Sequence, residues 1–228
     1  MGRVRLHLGN PSEIHLINRL DRETSGQIIV AKNRATAAPL RKAWENKQVQ
    51  KFYLAIVHGH PPDALQRIAL PLGPDPESPV AVQDKVVEGG TPAETEIKTI
   101  HSFVHQGDPY ALLLLSPITG RKHQLRIHLA DQGYPIVGDK IYAGDPLAYL
   151  NFTRHSLTPE QKKNLILPYH ALHAAGVIAS DAKVFPMRTW TYPDAFMRCF
   201  LKAANQLAKL DEMLFSAFGC SPVTPTPL

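Results

Sequence analysis

Cysteine is nearly absent: Cys199 and Cys220 are the two in 228 residues. They form neither a metal-ligand spacing nor a disulfide framework, so thiol chemistry is excluded as a theme and a reducing cytoplasm is the expected compartment. Long apolar runs are missing too. The longest aliphatic stretch, residues 111–115, is far short of the roughly 20 residues that a membrane-spanning helix needs, and no signal-peptide apolar region stands near Met1. Neither sign of charge dominates, since 25 Lys and Arg against 20 Asp and Glu leave +5. Aromatics are sparse at 7%, yet 44% of the chain is hydrophobic and 20% charged, which speaks against disorder and suits one large domain with a sizeable core.

The charge that exists is unevenly spread: residues 1–60 carry +6, residues 61–100 carry −4 and residues 101–228 carry +3. A basic first quarter suits a polyanion partner, although a solvated basic face has the same pattern. Apolar periodicity and breaker residues predict strands over 27–31, 52–58 and 172–179. They predict a helix within 35–47, confined to 40–47 because Pro39 is tolerable only near a first turn. Residues 70–90, with Pro71, Pro74, Pro76, Pro79 and a Gly89-Gly90 pair, read as loop. Alternation over 93–104 and an apolar stretch over 110–116 predict a hairpin turning at 106–109. A helix over 123–132 is expected to stop at Gly133. A last helix is expected from a cap at Asp194 to Gly219, before a frayed tail over 221–228. Strands that mostly follow one another indicate an α+β fold with a mixed, mostly antiparallel sheet and flanking helices.

Three segments carry candidate chemistry. Asn18-Arg19-Leu20-Asp21-Arg22-Glu23-Thr24-Ser25-Gly26 puts a carboxylate between two guanidiniums, followed by a flexible turn. Alone, it reads more readily as a surface ion-pair loop than as a reactive site. Thr119-Gly120-Arg121-Lys122-His123-Gln124-Leu125-Arg126-Ile127-His128 gathers cations at an expected helix start, where free amides favour phosphate. On a helix Lys122 and Arg126 would share a face and repel unless an anion lay against them. His123 and His128 diverge around such a helix, so no metal site is expected there. Lys51 and Tyr53 point the same way from a strand and could line one site.

Together and in this order these segments resemble the RluA-type RNA pseudouridine synthases, which turn a uridine in RNA into its C-glycoside isomer. The resemblance rests on Arg19 to Gly26, on Lys51-x-Tyr53-x-Ala55-x-Val57-x-Gly59 and on Thr119 to His128. It extends through Gly133-x-Pro135-Ile136-x-Gly138-Asp139-x-x-Tyr142 to Leu172-His173-Ala174. It implies a catalytic domain over residues 1–200, with 201–228 as a helical extension and proline-containing tail. It also implies that Asp21 is the essential aspartate, attacking or deprotonating the ribose, and that Arg126 pairs with it. Tyr53 would pack on the target base and help with the C5 proton, and Arg19 would fill the gap left by a flipped nucleotide. Arg121, Lys122 and His123 would then contact phosphate or form the site wall. Asn18 stands where many family members have His. Relatives usually carry roughly 50 or more further residues before this motif, including an early strand, so the sheet is expected to be short at its N-terminal part.

The activity implied is isomerisation of uridine in structured RNA, ribosomal RNA first and transfer RNA second, by a monomer without membrane contact. Bonds are made and broken within one nucleoside, so no cofactor or metal is implied. The competing possibility is a truncated, non-catalytic RNA-binding relative. A hydrolase using Asp21 ranks last, because neither the Lys51 to Gly59 strand nor the Thr119 to His128 segment supplies a second carboxylate as acid-base partner.

Overall fold

The computed structural model describes residues 6, 7, 9, 13–179, 187–190 and 195–203. The Asp194 cap and the 221–228 tail lie outside the described residues, as does most of the expected final helix. Strand β1 (His15–Leu16) leads into the first motif, which ends in β2 (Ser25–Gly26), and β3 (Val30–Ala31) returns antiparallel to β1. Of the single strand expected over 27–31, only Val30–Ala31 is strand, and the preceding piece, Ser25–Gly26, has a different partner. Asn18 explains the break: its amide donates to Gln27 O at 3.1 Å and its Oδ1 accepts from Ile29 N at 2.7 Å, occupying bonds a strand would need.

Helix α1 (Arg34–Glu45) starts at Asn33, whose Oδ1 accepts from Thr36 N at 2.8 Å, and buries Ala37, Leu40 and Ala43 at spacings of three. It runs through Pro39, contrary to the expected confinement to 40–47. Ala35, whose carbonyl would otherwise have accepted the missing amide, is exposed, so water can replace the lost bond. The helix turns off through Asn46 and Lys47, the latter left-handed at φ 57°.

Strand β4 (Val49–His58) enters the sheet next. Leu54, Ala55, Ile56 and Val57 are all fully buried, so the strand is covered on both faces. After β5 (Arg67–Ala69), the chain forms β6 (Leu72–Pro74) and β7 (Asp84–Val86), which pair antiparallel. This corrects the loop expected over 70–90. A two-stranded ribbon is all edge, so Pro74 at its strand end takes no interior ladder bond away.

Strands β8 (Glu94–His105) and β9 (Asp108–Pro117) make the expected hairpin, with a tighter turn. Gln106 and Gly107 both have positive φ, 54° and 93°, which is the two-residue type I′ geometry that matches strand twist. Asp108 and Pro109 therefore belong to β9. Then come α2 (Gln124–Asp131), α3 (Pro146–Thr153) and α4 (Pro159–Leu165), followed by β10 (Leu172–Ala179), β11 (Met187–Trp190) and α5 (Ala195–Ala203).

Among the described residues the main sheet has seven strands, ordered β11-β10-β4-β9-β8-β5, with β2 attached to β10. All pairs along that path are antiparallel, and β2 runs parallel to β10, so the mixed, mostly antiparallel sheet of an α+β fold is present. One apolar core holds it together: Leu54, Ile56, Leu112, Leu113 and Leu115 from β4 and β9 meet Leu129 of α2 and Met197 and Leu201 of α5. A smaller cluster of Leu72, Ala93 and Ile127 ties the β6 and β7 ribbon to α2. Among the described residues no helix is long and apolar enough to cross a membrane.

The β2–β10 pairing needs Gly26. Its φ is +114°, and a Cβ there would lie on the Ala174 carbonyl oxygen and 2.6 Å from the Ala174 nitrogen. Gly26→Ala is therefore expected to cost roughly 2–3 kcal/mol, measured by urea unfolding, because both backbone strain and a backbone clash must be relieved.

Candidate active site

The first motif is a turn pinned at its far side. Thr24 N donates to Asp21 O at 3.1 Å. Glu23 takes both its oxygens to Lys140 Nζ, at 2.9 and 2.8 Å, and Lys140 also donates to Pro168 O. Thr24 Oγ1 lies 2.8 Å from His170 Nε2, and Ser25 Oγ 2.8 Å from His173 Nδ1. Lys140, His170 and His173 are all buried. These bonds spend residues 23–25 on the protein interior and leave Asp21 facing the other way, its side chain 30% exposed.

Opposite stands Arg126, from α2, at 5% exposure. Its Nη1 donates to Asp21 Oδ2 at 3.2 Å. Its Nε and Nη2 form a fork on Asp139, at 2.6 and 2.8 Å. Asp139 is fully buried and also accepts from the amides of Ile141 and Tyr142. Burial alone would raise its carboxyl, but the hydrogen bonds and charge of Arg126 outweigh that and hold it at about 2. Arg126 is driven further into its charged range: burial opposes, and the Asp139 bonds prevail. A guanidinium fixed by one carboxylate thus offers its remaining edge to a second.

Tyr142 closes the back of the site. The Arg126 guanidinium lies 5.1 Å from its ring centre, and its hydroxyl accepts from Asp84 N at 3.3 Å. The same hydroxyl lies 2.9 Å from His123 Nδ1. A proton shared there leaves His123 Nε2 to face Asp21, 4.0 Å away. His123 precedes α2 in the left-handed conformation, at φ 54°, and makes no capping bond. Its backbone is strained while its side chain serves the site, the pattern expected where function holds a conformation. Burial, then Arg126, lowers its pKa, which favours the neutral ring.

A cleft of about 760 Å³ opens over this pair. Of the seven site residues expected from sequence, Arg19, Asp21, Tyr53, Arg121, His123 and Arg126 line it. Lys122 does not. Because α2 begins only after His123, Lys122 and Arg126 do not share a helix face, and Lys122 Nζ is paired with Asp84 at 2.8 Å. Arg121 keeps its place by donating from Nε to Pro92 O at 3.1 Å. Lys51 and Tyr53 both line the cleft from β4. Burial, followed by the charge of Asp21, pushes the Tyr53 phenol up to about 12.

With this geometry in view, the comparisons with known proteins are specific. Residues 3–131 match the family model described as RNA pseudouridylate synthase. The chain belongs to this family. It is 41% identical over 128 residues to the dual-specificity RNA pseudouridine synthase RluA of Escherichia coli (strain K12), covering 56% of each chain. The Vibrio vulnificus protein of the same name is 39% identical over 140 residues, 60% of this chain and 55% of that one. The chain thus spans little more than half the length of these relatives. The solved structure of human RNA Pseudouridylate Synthase Domain Containing 1 superposes with a TM-score of 0.72 at 25% identity, over 98% of this chain and 86% of that one.

This pseudouridylate synthase family member uses more residues around its site than the sequence singled out. Asp139, Tyr142, Lys140 and His170 carried no expected role. The signal was partial: Asp139 and Tyr142 stand in the matched 133–142 stretch, whereas Lys140 and His170 become visible only through their contacts with Glu23 and Thr24. His170 makes a pH prediction. Burial, then Arg126, lowers its pKa to about 4, so the unfolded chain binds this proton more readily between the ordinary histidine value and about 4. Stability should therefore fall as pH drops through that window, by about 3 kcal/mol from this one group. His170→Gln, which can still bond Thr24, should flatten that part of a Tm-versus-pH curve. An unchanged curve would contradict it.

Proposed function

We propose that this chain isomerises uridine in structured RNA to pseudouridine, with Asp21 as the reacting carboxylate. The observation that carries this reading is the Asp21–Arg126 contact, 3.2 Å across residues 105 apart, at the floor of a cleft that Tyr53 also lines. The reaction breaks the bond from ribose C1′ to uracil N1, turns the base and joins C1′ to C5. One proton leaves C5 and one arrives at N1, so nothing is added or lost. Asp21 attacks C1′ or takes a proton from the ribose; both roles use the anion that Arg126 faces.

Tyr53 enters as a neutral phenol, since its raised pKa keeps the proton on at neutral pH. It therefore packs against the base and donates a hydrogen bond, and is not itself the resting base for the C5 proton. Arg19, exposed at the rim, is proposed to fill the place of the extruded nucleotide, and Arg121 and His123 to form the wall against its phosphate and base. Ribosomal RNA is the proposed first substrate and transfer RNA the second, read through shape and phosphate contacts.

RNA labelled with tritium at uridine C5 tests this directly. Incubation with the protein should release label to water, and Asp21→Asn should not. Absence of release from both ribosomal and transfer RNA would overturn the proposal.

A further inference from the structure

The cleft extends past Asp21 to the end of α1, where Arg41, Trp44, Lys47 and, from the start of β4, Lys51 line it. Among the described residues no carboxylate forms an ion pair with Arg41, Lys47 or Lys51, which leaves three cations together on one stretch of the cleft lining. Glu45 lines the same rim without pairing with them. Lys51 is half-buried and donates to the Thr119 carbonyl at 3.4 Å. Burial, then the nearby charge of Lys47, lowers its pKa, as expected of ammonium groups held together without a counter-charge.

Lys47 supplies an independent observation. It occupies the position after the α1 cap in the left-handed conformation, φ 57°, where glycine fits without strain. The chain instead carries an exposed cation there, which lines the cleft. Trp44 and Arg41 lie three apart on α1 and so share a face. The Trp44 ring is half-buried against Ala43, Val49 and Val177, which fixes it as a platform, and part of it borders the cleft.

We propose that the end of α1 and the start of β4 form a second RNA subsite, in which Arg41, Lys47 and Lys51 hold a backbone phosphate of the strand flanking the target uridine and Trp44 stacks on the adjoining base. This rests on the proposed RNA activity and names where the strand continues beyond the reacting nucleotide. Phosphate contacts of this kind give affinity and register, and stacking tolerates any base.

The test uses a fluorescein-labelled stem–loop RNA with uridines in its loop, titrated at several salt concentrations. Lys47→Gly should bind about 3- to 10-fold more weakly, with the slope of log affinity against log salt reduced by about 0.7–0.9. Its Tm should be no lower than that of the wild type, because glycine relieves the left-handed backbone. Lys47→Arg should bind as the wild type does. Lys98→Ala, the same loss of charge on β8 outside the cleft, should leave binding unchanged. A Trp190→Phe protein, in which Trp44 is the remaining tryptophan, should lose emission on adding RNA.

Lys47→Gly binding like Lys98→Ala, or Trp44 emission unaffected by bound RNA, would overturn the subsite. If the wild type releases no tritium while Lys47→Gly still weakens binding, the isomerase reading fails and the subsite stands. A wild type that does not bind the probe overturns both.

Discussion

Asp21→Asn should lower tritium release on the order of 10⁴-fold, the scale of loss when a reacting carboxylate is replaced by its amide, while moving Tm by no more than a degree or two. The two halves of this expectation come from different contacts. The Asp21 side chain is partly exposed and is not the group that keeps Arg126 charged in the interior; Asp139 does that through its two-bond fork. An asparagine in its place can still accept from Arg126 through its carbonyl oxygen. What disappears is the negative charge that the proposed reaction needs either to attack C1′ or to accept a proton from the ribose. A loss of less than 10-fold, in single-turnover assays with saturating RNA, would remove Asp21 from the reaction. A collapse in Tm would show that the turn over residues 18–26 depends on this carboxylate, against the bonds made by Glu23, Thr24 and Ser25.

Asp139→Ala should do the opposite on stability. Removing one partner of a buried ion pair leaves the other charge uncompensated, at a cost of about 3–5 kcal/mol. For a chain of this size that lowers Tm by roughly 10 °C or more. Three further losses are included: Ile141 N and Tyr142 N lose their acceptor, and Arg126 loses the fork that aims its free edge at Asp21. Activity per folded molecule should fall as well, which unfolding alone would not produce. The double variant Arg126→Leu with Asp139→Leu separates the effects. It should recover much of the stability, since no buried charge is left, and recover no activity. A single Asp139→Ala protein within 1 kcal/mol of the wild type would contradict the account, with the threshold set by the roughly 3 kcal/mol minimum expected.

The central sheet was legible because its signals are local. The hairpin over 94–117 and the strand Leu172–Ala179 follow from alternation, apolar runs and a turn pair. The failures arose where distant residues intervene. Nothing near residues 27–31 announces that the Asn18 amide will take two of their backbone groups, and nothing near Lys122 announces Asp84, 38 residues earlier. The site divides the same way. Asp21, Tyr53 and Arg126 stand in dense motifs, and the structure brings all three to one cleft. Asp139 shows its importance only once α2 and the following turn are folded together, since its meaning lies in a partner 13 residues away that no helical or strand period would select.

The parallel pairing of β2 with β10 has a consequence for the order of events during synthesis. Ser25 and Gly26 pair with His173 and Ala174, and the Ser25 hydroxyl meets His173 across 148 positions. When the ribosome has made the Asp21 turn, the strand it leans on does not yet exist. At the usual 5–20 residues per second, roughly seven to thirty seconds of elongation separate the two. During that interval Thr24 and Ser25 lack the interior partners that orient the turn, because His170 and His173 are still to come, and Glu23 lacks Lys140 for most of it. The nascent chain thus carries residues 21–26 without their interior partners until β10 has been made.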